Sequence, residues 1–128
     1  RSINRHQWEL GALSNALDCS ASDHHAVFEA LKHLIALRKA QPAFHPNATQ
    51  FTLHLGDELF GFWRQSLDRH QSLFCVHNLT HEEQVLPLSR LNLVVNHRWR
   101  ELISGAPIEE GLPDWTLAPY QTLWITNG

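Results

Sequence analysis

"HLIALRKAQPAFHP", residues 33–46, decides how the chain divides. Before it, apolar residues recur every three or four positions; after it, they alternate. Val27, Leu31, Leu34, Ile35 and Arg38 keep the spacing that puts a stripe on one helix face, and Ser22 or Asp23 offers an N-cap oxygen to the first-turn amides. Arg38 and Lys39 suit the negative end of the helix dipole. Pro42 disfavours helical geometry at Gln41, so the helix should end near residue 40.

Working outward, Trp8, Leu10, Leu13 and Leu17 predict a shorter amphipathic helix, closed by the polar run Asp18-Cys19-Ser20-Ala21-Ser22. Downstream, the period-two segments 51–55, 59–65, 72–79, 84–88, 91–95 and 122–126 are each of strand length. Gly56-Asp57, residues 67–70, residues 80–83 and the 107–114 loop separate them. The fold class expected is α+β: two N-terminal helices followed by an antiparallel sheet or small sandwich, with a domain boundary between residues 42 and 43. The helical stripe, with Phe28 and Leu37 added, is wider than one small sheet would cover.

At 128 residues and 43% hydrophobic content the chain can bury its own core. No run approaches the roughly eighteen consecutive apolar residues of a membrane span, so no membrane partner is expected. A formal charge of -3, with ten dispersed Lys and Arg, argues against a nucleic-acid partner. Cys19 and Cys75 are expected to be reduced, buried or partly buried thiols of a cytoplasmic protein, which makes Asn47-Ala-Thr49 and Asn78-Leu-Thr80 turn residues rather than glycosylation sites. The chain has no Met and starts at Arg1, and the expectation is a piece of a longer protein.

The chemistry-bearing residue types give little by themselves. Among ten His, His24 and His25 are adjacent and point apart on a helix, and His77 and His81 straddle a turn without a third ligand at a recognisable spacing; no metal and no cofactor is expected. Glu82-Glu83 and Glu109-Glu110 are adjacent carboxylates in polar loops, where solvation is the ordinary state. Trp63 and Trp124 fall within strands and read as core. Trp99 and Trp115 lie nearer loops and are candidate stacking platforms for sugar rings.

"LIALRKAQPAFHPN", residues 34–47, resembles the segment of the α-amylase family (glycoside hydrolase family 13) in which the last barrel helix passes into the C-terminal β-domain. "LFGFWR" at 59–64, "LFCVHNLT" at 73–80 and "LAPYQTLWI" at 117–125 look like that domain. The opening "RSINRHQW" is similar to the Gly-Arg-Asp-Ile-Asn-Arg segment of the sucrose phosphorylase subfamily. Together these motifs cover essentially the whole chain.

The resemblance implies a cytoplasmic, retaining, α-glucoside-active enzyme with an upstream β/α barrel as this chain's partner. It would transfer glucosyl to phosphate, or to water in an α-amylase-type hydrolase. Its nucleophile, acid/base and stabilising carboxylate would all precede residue 1, so no catalytic residue is expected in this chain. The matching substrate-binding positions are Arg1, whose planar donor fork would face the acceptor, and Asn4 and Arg5, which would shape the loop. Ser2 stands where the motif has Asp; losing that carboxylate makes the pocket more positive and points to an anionic leaving group such as glycerate. A stand-alone carbohydrate-binding β-module is the competing reading. It should be monomeric with packed helices, whereas the enzyme tail should leave the 23–40 stripe open to self-association.

Overall fold

A computed structural model of the chain describes residues 6–91, 93, 98–108 and 114–128. It divides into two compact units, Arg1–Ala36 and Leu37–Gly128.

The first unit holds α1 (Leu10–Asp18) and most of α2 (Asp23–Lys39). Glu9 caps α1, its carboxylate accepting from the amides of Gly11 and Ala12, both at 2.9 Å; those two bonds hold its carboxyl below the usual carboxylate range. Ser22 is the cap of α2: its Oγ accepts from His25 N at 3.1 Å and donates to the Ala16 carbonyl. His25 Nδ1 bonds the Leu17 carbonyl at 2.6 Å, so the start of α2 satisfies carbonyls that the last turn of α1 leaves open.

The second unit opens with a 3-10 turn, Pro42–Phe44, and continues through β1 (Thr49–Leu53), β2 (Leu59–Gln65), β3 (Ser72–Asn78), β4 (Gln84–Pro87), a 3-10 turn Leu88–Leu91, β5 (Arg100–Glu101), β6 (Asp114–Leu117) and β7 (Thr122–Thr126). Five strands form an antiparallel sheet in the order β1-β2-β3-β7-β5; β4 and β6 pair as a second, two-stranded sheet. The expected α+β class with an antiparallel sheet is therefore found.

Side-chain alternation fixes what each face of the large sheet does. Leu59, Phe74, Val76, Leu123 and Ile125 point one way and pack against Leu86, Leu88, Leu91, Trp99 and Leu117 to form the main core between the sheets. Leu73 and Cys75 point the other way and pack with Ala43, Leu102, Leu37, Phe44, Phe62 and Trp124. Full burial of a Leu or Ile side chain stabilises by about 1.5–3 kcal/mol, and Leu73, Leu86, Leu91, Leu117, Leu123 and Ile125 are all under 2% exposed. A Cβ at Gly61 in β2 would stand 2.5 Å from Leu55 Cδ1, so a larger residue there obliges the buried Leu55 side chain to shift.

Several expectations need correction. The first strand starts two residues early, at Thr49, because Thr49 and Gln50 pair with Gln65 and Arg64. Residue 91 ends a 3-10 turn instead of opening a strand; most of 91–95 lies outside the described residues. Two short strands, β5 and β6, were not expected. Cys19 is exposed, unlike Cys75. Trp99, a candidate platform, is 8% exposed and belongs to the core. Trp115 is half-buried and packs against the same cluster.

Candidate functional site

The outer face of the large sheet has two halves. One is covered by the segment that follows α2. Arg64, on β2, donates from Nε to the Ala43 carbonyl at 2.8 Å, from Nη2 to the His45 carbonyl at 2.7 Å and from Nη1 to Gln50 Oε1 at 2.9 Å. Gln71 Oε1 accepts from Ala43 N at 2.9 Å, and its Nε2 donates to Gln41 Oε1 at 2.6 Å. Phe44 then lies edge-on to Trp124 at 5.0 Å, with Arg38 over the Phe44 ring at 5.9 Å. The Pro42-Ala43-Phe44 break is thus a buckle: Pro42 stops the helix, Ala43 is small enough for 0% exposure, and Phe44 covers the sheet.

The other half carries Phe60, Phe62, His77 and Thr122. Cross-strand register puts Phe60 opposite His77 and His77 opposite Thr122. The His77 ring lies 5.9 Å from Phe60 and 6.0 Å from Phe62, and its Nδ1 is 2.9 Å from Thr122 Oγ1. Burial disfavours the charged imidazole, so its pKa is below the ordinary histidine value. Phe60 is 47% exposed.

In the helical unit, neither α1 nor α2 contains a fully buried residue. Val27, Phe28, Leu31 and Ile35 are 59%, 44%, 53% and 56% exposed. They form the stripe that the sequence spacing singled out. Trp8 is ringed by His6 at 5.1 Å and His24 at 5.2 Å, both edge-to-face.

The quoted β motifs turn out to be structural. Asn78, the Asn of "NLT", is 2% exposed; its Nδ2 donates to the carbonyls of Glu82 and Ala118, and its Oδ1 accepts from Thr80 N and Oγ1. It ties the end of β3 to the turn before β7. Glu101 is also 2% exposed, its carboxylate accepting from the amides of Ile103, Ser104 and Trp124. Among the described residues no three or more His, Cys, Asp or Glu gather in metal-binding geometry. Glu82 is exposed, 3.8 Å from exposed His81; Glu109 and Glu110 lie outside the described residues, as do Arg1, Asn4 and Arg5. Sequence reading missed the Phe60–His77–Thr122 face. Its signal was β3 itself, apolar on both sides, which is the mark of a strand covered twice.

No protein-family model matches the chain. It is 32% identical over 127 residues to a glucosylglycerate phosphorylase of Allomeiothermus silvanus, a match covering 99% of this chain and 20% of that protein. The glucosylglycerate phosphorylases of Spirochaeta thermophila and Escherichia coli are each 29% identical, over 98% of this chain and 23% and 21% of theirs. The chain therefore spans about a fifth of the length of these relatives. Among solved structures, AmyP in complex with maltose superposes with a TM-score of 0.66 at 15% identity over 85% of this chain and 22% of its own. Trehalose-6-phosphate hydrolase of Bacillus licheniformis gives 0.64 at 21% identity, over 88% of this chain and 20% of its own. The structural likeness establishes the fold, and the relatives bear out the resemblance to the α-amylase family.

Proposed function

We propose that this chain, a relative of the glucosylglycerate phosphorylases, is the non-catalytic C-terminal part of a retaining α-glucoside phosphorylase, following an upstream β/α barrel. The observation that carries the structural role is the open stripe of Val27, Phe28, Leu31 and Ile35 on α2. Four large apolar side chains on one helix face are the surface a neighbouring barrel helix would cover.

The reaction of the whole enzyme is a double displacement. A barrel carboxylate attacks the anomeric carbon while a barrel acid protonates the departing oxygen; a phosphate oxygen then attacks the glucosyl–enzyme carbon, giving glucose 1-phosphate and freeing the carboxylate. None of those groups belongs to this chain. Its contribution to the site is Arg1 at the acceptor side, with Asn4 and Arg5 shaping the loop. A guanidinium there can hold two oxygens of glycerate or phosphate at once. Ser2, lacking the carboxylate of the related motif, leaves that guanidinium free for an anionic acceptor, which favours glucosylglycerate over sucrose as donor. The protein acts in the cytoplasm, where phosphate is the acceptor at hand.

Arg1→Ala in the full-length enzyme tests this assignment. Loss of a charge-assisted pair should raise the KM for phosphate or glycerate about 10- to 100-fold while the protein stays folded. An unchanged KM for both anions removes Arg1 from the acceptor side. The 128-residue chain alone should form no glucose 1-phosphate.

A further inference from the structure

Asn127-Gly128 follows β7 directly, and contacts fix the residue type at both positions. Asn127 Oδ1 accepts from Ser72 N at 2.7 Å, and its Nδ2 donates to the His70 carbonyl at 3.1 Å, so position 127 uses both ends of a carboxamide. At 128 a Cβ would stand 2.8 Å from Gln71 Nε2 and 3.1 Å from Gln71 Cγ. That Gln71 side chain is itself held by Ala43 and Gln41, so a larger residue would have to displace a bonded group. The pair that meets both demands is also the one most open to self-attack, because Gly hinders its own nitrogen least. We propose that Asn127 is a site of spontaneous deamidation that the fold holds in check, released when the end of β7 opens, and that conversion then keeps that end from closing as before.

The reaction needs only water and base. Hydroxide takes the Gly128 amide proton, and the nitrogen attacks Asn127 Cγ. A C–N bond forms, the carboxamide C–N bond breaks, and the NH2 group leaves as ammonia after protonation, giving a succinimide. Water then opens the ring at either carbonyl, to Asp or to isoaspartate. Nothing is oxidised or reduced. In the folded chain the Gly128 N–H is occupied, donating to Thr126 Oγ1 at 3.2 Å, and that hydroxyl is fixed in turn by donating to the Ser72 carbonyl at 3.0 Å. The carboxamide must also give up Ser72 and His70 before Cγ can turn toward the Gly128 nitrogen. Opening is local: Asn127 is half-buried and Gly128 exposed, so water reaches the pair as soon as those bonds part.

Either product loses the tie. In the Asp form one oxygen still accepts from Ser72, but the other replaces a donor and faces the His70 carbonyl with no proton between them. Isoaspartate adds a methylene to the main chain and moves Gly128 away from Thr126 and from Arg100, whose Nη2 donates to the Gly128 backbone oxygen at 2.9 Å. His70 belongs to the turn that Ser66 N closes on the Gln71 carbonyl at 2.9 Å, and Gln71 Oε1 holds the Ala43 amide. The loosening therefore reaches the Pro42–Phe44 turn at the helix-to-sheet junction as well as the β3–β7 pair.

The test uses the full-length protein and needs no substrate. Samples are held in mildly alkaline buffer with and without denaturing urea, and peptide mapping by mass spectrometry follows deamidation at Asn127; isoaspartyl methyltransferase labelling separates the two products. Asn127 should convert at least about tenfold more slowly in the folded protein than in urea. Thr126→Val, which removes the hydroxyl that occupies the Gly128 N–H, should raise the folded rate about threefold or more and leave the rate in urea unchanged. Asn127→Asp should lower the melting temperature by a few degrees and speed hydrogen exchange at residues 70–72. Equal wild-type rates with and without urea, a measurement that needs no variant to fold, would overturn the proposal. So would a folded rate unmoved by Thr126→Val, or an Asn127→Asp protein that melts and exchanges as wild type does.

Discussion

Arg64 Nε donates to the Ala43 carbonyl at 2.8 Å, and so the third strand-facing side chain of "LFGFWR" fastens the "PAF" turn at the end of the helix. Two sequence motifs 21 positions apart are one structural unit. Replacing Arg64 by Ala leaves the Ala43 and His45 carbonyls without that donor and should cost about 2–3 kcal/mol, read as a lower urea midpoint at unchanged slope. Arg64→Lys should recover little, because a single ammonium cannot reproduce the planar fork that reaches Ala43, His45 and Gln50. Full recovery by Lys would mean that charge, not geometry, holds the junction.

Glu101 should be as sensitive. Its carboxylate accepts from three backbone amides at 2.6–3.1 Å and is nearly inaccessible. Glu101→Gln keeps the shape but points an NH2 at amide donors, so a loss of about 2 kcal/mol or more is expected. Hydrogen exchange should locate it at residues 102–104 and in β7.

The two thiols should differ sharply in reactivity. Cys75 is buried and its pKa is pushed up to about 12, so almost no thiolate exists at pH 8. Cys19 is exposed. Iodoacetamide with peptide mapping should modify Cys19 in the native protein and Cys75 only after denaturation.

Tyr120 occupies a left-handed backbone conformation, φ 57°, in the Ala118–Gln121 turn. Its amide bonds the Thr80 carbonyl at 3.1 Å and its ring is 68% exposed. A bulky residue is disfavoured there by roughly 1–2 kcal/mol, a cost Asn largely avoids. Tyr120→Asn should therefore raise stability by about 0.5–1 kcal/mol in thermal or urea unfolding.

What could be read from the sequence follows the range over which each feature is encoded. β2 and β7 are found at the boundaries their alternation predicts, and α2 ends one residue from the expected position because Pro42 is a local, steric stop. β5 and β6 escaped notice since two- and four-residue strands are fixed by pairing with β7 and β4, not by any pattern of their own. Trp99 looked loop-like between Arg98 and Arg100, yet the chain turns there so that Trp99 enters the core beside Phe74. The α2 stripe was legible because helical periodicity is local. The Phe60–His77–Thr122 face was not, because it exists only once three strands align.

Product analysis of the full-length protein with glucosylglycerate and with sucrose, each with and without phosphate, tests the proposed phosphorylase reaction most directly. A phosphorylase forms glucose 1-phosphate only when phosphate is present, and glucosylglycerate should be the preferred donor. Free glucose formed regardless of phosphate would contradict it and place the protein among hydrolases.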